Sequence, residues 1–541
     1  MNYDYLIVGA GAAGCVLANR LSEDPQTRVL LVEAGGSDDR LMIRMPLGMM
    51  RAFRDPSITW GYVSEPEPNL NGRVLMVPRG RVLGGSSSIN GMFFMRGHSS
   101  DFDGWQRLGC DGWSYAHVLP YFKKLESSWR GAVPYHGADG PMPIAPNATT
   151  RLLHQPLMQT ATAAGYWTSE DINGRVEEGF ARPELTMDER GRRASAARSY
   201  LRPVLGRANL QVMQGAQTTR ILVEQGRAVG IELRRGSETR AVHAQREVIL
   251  CGGTYNSAQL LLLSGFGAAA DLARLGIRVR ADLPGVGANL SEHVRAGLQF
   301  TTREPVSFLR ELRADRVAFS LLRWLAFGTG AFASQVSSCN VLIRTDPQLA
   351  QPDIQVMCNP VRMDAKVWWP LVGSRQAHLL TADAVLLHPK SRGRVTLRSA
   401  NPMAKPRIQF NCLSDPDDLA VLRRGLRAAR KIYGTPPQAD LIEQEITPGA
   451  GIDSDADLDA YIRATASVTQ HPVGTCSMAA GAGRVVDAGL RVQGVDGLRV
   501  ADASIMPTVP GGNTYGAVLM IAERAADLIR GRTLPPQLET P

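Results

Sequence analysis

The stretch Tyr5-Leu6-Ile7-Val8-Gly9-Ala10-Gly11-Ala12-Ala13-Gly14 sets the opening architecture of the chain. A short apolar run that ends at a glycine has the pattern of a buried parallel strand. Beyond it, Ala13, Val16, Leu17 and Leu21 fall at the spacing of one helix face. Val29-Leu30-Leu31-Val32 gives a second buried strand, with Glu33 at its end. Gly9 permits the tight turn, Gly11 lets backbone approach a pyrophosphate, and Gly14 lets helix and strand pack closely. The helix N-terminus offers free N–H groups and the positive end of its dipole to phosphate. Glu33 follows Gly14 by 19 residues, where a carboxylate can accept hydrogen bonds from ribose hydroxyls. The unit predicts a dinucleotide site. NAD and FAD stay open; NADP is disfavoured, because a carboxylate repels its 2′-phosphate.

Outward from this unit the chain runs to 541 residues and 58.6 kDa, enough for more than one domain. Strand-like runs return at 210–213, 220–223 and 247–250, and 415–433 reads as an amphipathic helix. A strand at 498–500 precedes a last helix with Val518, Ile521, Ala522, Ala525, Leu528 and Ile529 on its apolar face. Apolar residues make up 44% and charged residues 21%, which excludes wholesale disorder. The net charge is +9, but the basic residues are scattered and nearly all Arg, which argues against a nucleic-acid partner. The seven cysteines are odd in number and widely spaced, without Cys-x-x-Cys. They are expected as buried small hydrophobes in a reducing, cytoplasmic setting, not as a disulfide framework or zinc site. No stretch approaches about 18 uninterrupted apolar residues, so no membrane span is expected. The first residues run straight into a strand, with no secretory leader. The apolar segment 317–327 is read as a buried helix or a lid over a pocket rather than a membrane contact, since an Arg and a Ser interrupt it and no basic face accompanies it.

Two longer stretches narrow the cofactor. Gly80-Arg81-Val82-Leu83-Gly84-Gly85-Ser86-Ser87-Ser88-Ile89-Asn90-Gly91, continuing to Met92, Phe93 and Asp103-Gly104-Trp105, resembles the first signature of the glucose–methanol–choline (GMC) flavoprotein oxidoreductases. Gly253-Thr254-Tyr255-Asn256-Ser257-Ala258-Gln259-Leu260-Leu261 is similar to the second, departing at Ala258, where proline is usual, and at Phe266, where an aliphatic residue is usual. The turn Leu283–Leu290, His471-Pro472-Val473-Gly474-Thr475 and the 497–504 segment are also similar to the family, so the resemblance covers nearly the whole chain. It implies an α/β fold: a Rossmann-like doubly wound FAD-binding domain, interleaved with an α+β substrate-binding domain that contains an antiparallel sheet. The expected boundaries are 1–100, 195–300 and 465–541 for the first, and 101–194 and 301–464 for the second.

The resemblance also implies contacts to FAD. Gly9, Gly11, Ala12, Ala13, Gly14, Glu33 and Ala34 come from the first unit. Val82, Gly84, Gly85, Asn90, Gly91, Met92 and Phe93 come from the first signature, with Thr218 from the middle of the chain. Asp502, Ala503, Asn513 and Thr514 come from the C-terminal segment. Asp502 would hold the ribityl chain or serve as an N-cap. The helix starting near Asn513 would direct its positive end at the flavin. Some family members attach FAD through a histidine that falls here at Ile89, so the FAD is expected to be non-covalent.

Oxidising an alcohol requires a base for the hydroxyl proton, and imidazole suits. Of nine histidines, only His471 lies in a family motif, matching the catalytic histidine; its expected partner is Asn513, which may also cap a helix. No metal motif is present. The implied activity is that of an alcohol dehydrogenase or oxidase, forming an aldehyde and passing electrons to oxygen or an electron carrier. Choline-binding groups of choline-oxidising members fall at Ser338 and Met357, which cannot hold a quaternary ammonium. An uncharged aromatic or furanic primary alcohol is the leading substrate, with sugars, polyols and polyether alcohols next. Hydroxynitrile cleavage and light-driven fatty-acid decarboxylation are alternatives on the same scaffold. Phe94, Trp324, Trp368 and Trp369 are pocket candidates, with core packing as the competing reading.

Overall fold

The computed structural model describes residues 2–373 and 376–537. Its first sheet carries parallel strands in the order Leu210–Met213, Val29–Val32, Tyr3–Val8, Glu238–Leu250 and Leu498–Val500. The long strand Glu238–Leu250 uses its first half to pair antiparallel with Arg227–Arg235, which in turn pairs with Gln217–Glu224. Leu6, Ile7, Val29, Leu30, Leu31 and Val248 have no exposed surface, as expected of parallel strands covered on both faces. The helices Ala12–Leu21 and Tyr515–Ile529 pack together in this core.

Gly14 lets the first of these helices sit close against the preceding strand. A Cβ there would lie 1.9 Å from the Gly9 carbonyl oxygen. Gly9 itself has φ +101°, a left-handed conformation that favours glycine.

The second sheet is antiparallel, in the order Ile442–Thr447, Val294–Thr302, Leu379–Leu386, Ile354–Asn359, Cys339–Ile343 and Gly179–Ala181. The helix Pro416–Tyr433 covers one face. Asp415 caps it by accepting from the Asp417 N–H at 2.9 Å, and Pro416 occupies the first turn, where its missing N–H costs nothing. Leu419, Leu422, Leu426, Ala429 and Ile432 are buried against the strands. Each buried leucine contributes about 1.5–3 kcal/mol. Gly425 admits the close approach, for a Cβ there would meet Ile354 Cδ1 at 2.7 Å. Period-two alternation sends Ala296, Val356, Cys358 and Ala384 into this core, and Arg295, Met357, Asn359 and Asp383 to the wall of a cavity.

Two segments sit apart from their expected grouping. Val294–Thr302, placed with the first unit by sequence, pairs throughout in the antiparallel sheet. The helices Ser99–Arg107 and Tyr115–Leu125, placed with the second unit, bury Phe102, Trp105, Val118 and Phe122 in the core of the first, the second of them against Tyr515–Ile529. All seven cysteines are buried and free. Among the described residues no helix is long and apolar enough to cross a membrane.

Candidate active site

Residues from both sheets line one cavity of about 1210 Å³. Val8, Val32 and Leu250 bring the carboxyl ends of three parallel strands to it, where open α/β sheets bind ligands. Gly9, Gly11, Ala12, Ala13, Glu33, Ala34, Gly85, Asn90, Gly91, Met92, Phe93, Thr218, Asp502, Ala503, Asn513 and Thr514 all stand on this wall. Gly14, Val82 and Gly84 stand behind it. Gly14 serves the helix–strand contact, Val82 is buried beside Ile43, Ala52 and Ile58, and the Gly84 N–H donates to the Ala10 carbonyl at 2.8 Å.

The wall fits a dinucleotide. On the Cβ side of Gly11 the nearest protein atom is 3.9 Å away, an uncrowded contact, and Gly11 lines the cavity. The buried Thr218 hydroxyl has no partner among the described residues and lines the cavity. Glu33 accepts from the Ala10 N–H at 2.9 Å and the Gly35 N–H at 2.8 Å, and burial pushes its carboxyl up to about 7. Asp502 takes the capping role and stands on the cavity wall. It caps the turn Ala503–Ile505 through the Ser504 N–H at 2.8 Å, accepts from Gly253 N–H and Ser257 Oγ, and faces the cavity. Arg193, which the sequence did not point to, buttresses the cradle. It is fully buried and donates to the Asn90 side chain at 2.6 Å and to the Ile43 carbonyl. Ile89 lines the same wall as a buried hydrocarbon.

At the other end lies an imidazole corner. His471 Nε2 is 3.0 Å from Asn513 Nδ2. His471 Nδ1 is 3.0 Å from His293 Nδ1 and 3.0 Å from Thr469 Oγ1. His293 Nε2 is 3.0 Å from the Leu387 carbonyl oxygen. A carbonyl only accepts, so neutral His293 carries its hydrogen on Nε2 and accepts at Nδ1. His471 must then donate from Nδ1, and the lone pair on its Nε2 accepts from the Asn513 amide N–H. Burial first, then the nearby Arg79 charge, lower His471 to about 3, so the ring is neutral. Burial also holds His293 well below the ordinary histidine range, with His471 adding to the effect.

Local backbone explains why these rings meet. Ser467–Val468 pairs antiparallel with Val294 and Arg295. Thr469 N–H donates to the His293 carbonyl, and Ser291 and Val473 exchange two backbone hydrogen bonds. Between these clasps Gln470 adopts φ +72°, which swings His471 into the corner. Glu292 accepts from the His471 N–H at 2.7 Å; burial pushes its carboxyl up to about 8, with the Arg79 charge opposing. Arg79 donates to the Gln470 carbonyl at 2.9 Å and its side chain at 2.8 Å. On the other side, Gly511 N–H donates to the buried Asp101 carboxylate at 2.7 Å, which fixes the loop before Asn513. Asn513 is not a cap: the N-cap position belongs to Thr514.

His293, Thr469, Glu292 and Arg79 were all missed by sequence. Their available signal was a Glu-His pair opening an apolar strand, since buried polar groups require partners. The aromatic candidates fail as pocket residues. Phe94 is core, Trp324 is buried with its indole on the Gly191 carbonyl, Trp368 is anchored to the Leu309 carbonyl, and Trp369 is 67% exposed. Phe53, Trp60, Phe93, Phe308 and Phe332 supply the aromatic wall instead. The 317–327 segment is helical, within Ala314–Phe327, but not buried: only Ser320 and Trp324 are.

Residues 3–295 and 389–522 match the family described as GMC oxidoreductase. The oxygen-dependent choline dehydrogenase of Rhizobium etli is 43% identical over 536 residues, covering 98% of this chain and 96% of that protein. Among solved structures, pyridoxine 4-oxidase from Mesorbium loti superposes with a TM-score of 0.87 at 31% identity, covering 97% of this chain and 98% of that one. A fungal aryl-alcohol oxidase superposes with a TM-score of 0.85 at 25% identity, with 97% and 98% covered.

Proposed function

The chain belongs to the GMC oxidoreductase family and is an FAD-dependent oxidoreductase of alcohols; from that premise we propose that its substrate is an uncharged primary alcohol, aromatic or furanic, converted to the aldehyde. Bound FAD supplies the hydride acceptor. His471 Nε2 takes the hydroxyl proton, and the Asn513 amide holds the alcohol oxygen. The Arg79 charge favours the negative oxygen that develops as the O–H bond breaks. Glycine backbone, Glu33, Thr218 and Asp502 hold the nucleotide. The seven free thiols suit a cytoplasmic, reducing location.

One observation carries the substrate reading. Away from the nucleotide cradle, the cavity offers no unpaired carboxylate among the described residues. Asp383 lies 2.8 Å from Arg295, and Asp364 lies 2.7 Å from Arg362. Arg51, Arg54, Arg79 and Lys366 also line the wall, so the local field disfavours a cation. Trp60 offers no free aromatic cage, for Tyr62 stacks on it and the Arg81 guanidinium lies 5.1 Å from its ring centre. Met357 lines the cavity without charge, and Ser338 is buried off it. Neighbours named for pyridoxine and aryl-alcohol oxidation support an aromatic substrate. A second reading, choline oxidation, is supported by the activity for which the Rhizobium etli relative is named.

An anaerobic screen of the FAD-loaded enzyme separates them. Benzyl alcohol and 5-hydroxymethylfurfural are expected to bleach the flavin faster than choline or a sugar; faster bleaching by choline would overturn the proposal. Admitting air then distinguishes oxygen from an electron carrier as acceptor. Acid precipitation of the same sample is expected to release the flavin to the supernatant, since Ile89 offers no atom for attachment.

A further inference from the structure

The helix Ala314–Phe327 is held by one side only. Trp324 is buried, and its indole N–H donates to the Gly191 carbonyl at 2.7 Å. The opposite side presents Phe319, 66% exposed, with Leu322 and Leu325, and Phe327 is exposed at the end of the last turn. Beside it the loop carrying Trp369, Leu371 and Val372 is equally bare, and Leu371 is fully exposed. The two are tied together. Ala314 N–H donates to the Trp368 carbonyl at 2.8 Å, and Trp368 N–H donates to the Leu312 carbonyl at 3.0 Å. Val317 and Val367 line the cavity, so both elements of this apolar collar reach its wall. Exposed apolar side chains gathered on two neighbouring elements point to an interaction site.

The charges around the collar indicate what covers it. Arg313 is paired with Asp315, and Arg316 with Glu311. Arg51, Arg54, Arg310, Arg323 and Lys366 are exposed and have no ion-pair partner among the described residues. A second copy of this chain, meeting the collar about a two-fold axis, would bring these cations against their own copies. An anionic bilayer surface neutralises them while its interfacial layer accepts the aromatic and leucine side chains. We propose that the collar formed by Ala314–Phe327 and the 369–372 loop docks the enzyme peripherally on an anionic membrane, with the cavity mouth towards the lipid. The docking is independent of which alcohol is oxidised.

Flotation of the FAD-loaded full chain with vesicles tests this. Vesicles with about one third phosphatidylglycerol are expected to carry at least about tenfold more protein than pure phosphatidylcholine, with the difference shrinking at high salt. Phe319→Glu/Leu322→Glu is expected to abolish flotation about tenfold or more, at unchanged flavin content and melting temperature. Leu371→Glu, in the loop, reads the same surface should the helix variant fold poorly. Absence of flotation with anionic vesicles overturns the proposal, as does wild-type flotation by well-folded variants. A dimer in light scattering that Phe319→Glu/Leu322→Glu dissociates, without vesicle binding, would assign the collar to a second copy instead.

Discussion

The nucleotide cradle and the imidazole corner share one cavity but are built on opposite principles. The cradle is backbone. Gly9, Gly11 and Gly85 matter because they lack side chains, and a Cβ on Gly85 would lie 2.8 Å from the Gly11 Cα. The corner is side chain, and each ring is fixed by the next. The Leu387 carbonyl fixes His293, His293 fixes the hydrogen on His471, and a lone pair at Nε2 is the consequence. A cradle tolerates any side chain that leaves its amides open, whereas a relay depends on every member. Substitutions in the corner should therefore cost rate and spare cofactor, and those in the cradle the reverse.

The largest expected effect tests the corner. His471→Ala removes the base, and flavin reduction by alcohol in stopped flow should slow by about 10²–10⁴-fold. FAD content should match wild type, because His471 contributes none of the backbone amides of the cradle. A variant that reduces at near-normal rate would remove His471 from the chemistry, and one isolated without flavin would erase the distinction between the two ends.

The same contrast explains what the sequence made legible. The cradle is written in ten consecutive residues, since strand, turn and helix are local, and Glu33 follows at a fixed distance. His471 and Asn513 were legible because each sits in its own motif. Their supports were not. His293 reaches His471 across 178 residues through an antiparallel clasp that no local pattern announces. The aromatic candidates failed for a related reason: an apolar side chain reports burial, not which cavity it faces. Trp324 is buried as its composition suggests, yet it anchors a helix to Gly191 instead of lining the pocket. The apolar run around it gave the helix, and of its two expected settings the buried one fails while Val317 still borders the cavity, because helical periodicity does not say whether the apolar face has a partner.

A smaller effect tests the cradle. In Gly14→Ala the new methyl meets the Gly9 carbonyl oxygen at 1.9 Å, and neither backbone can retreat from a core packed on both sides. Helix Ala12–Leu21 must shift off the strand, at about 1–3 kcal/mol. Urea unfolding should report that loss, and the purified protein should be flavin-poor, with any flavin that stays bound still reducible through an intact corner. Normal stability with full flavin would mean the helix–strand contact has slack that the 1.9 Å approach does not suggest.

The smallest effect is a pH dependence of the corner itself. His471 falls from 6.5 to about 3 on folding. A depressed pKa means that the unfolded chain binds the proton more readily, so the contribution to stability is fully present above 6.5 and is lost as pH falls towards the folded value. Glu292, raised to about 8, acts oppositely: its contribution is present below 4.5 and lost as pH rises through 8. Comparing wild type with His471→Ala cancels Glu292, which both retain. Between pH 6.5 and about 5.5, wild-type stability should fall by about 1 kcal/mol more than that of the variant. Parallel curves in chemical unfolding at the two pH values would mean that His471 is solvated enough to keep its ordinary pKa. The neutral lone pair at Nε2 would then have to come from the relay to His293 alone.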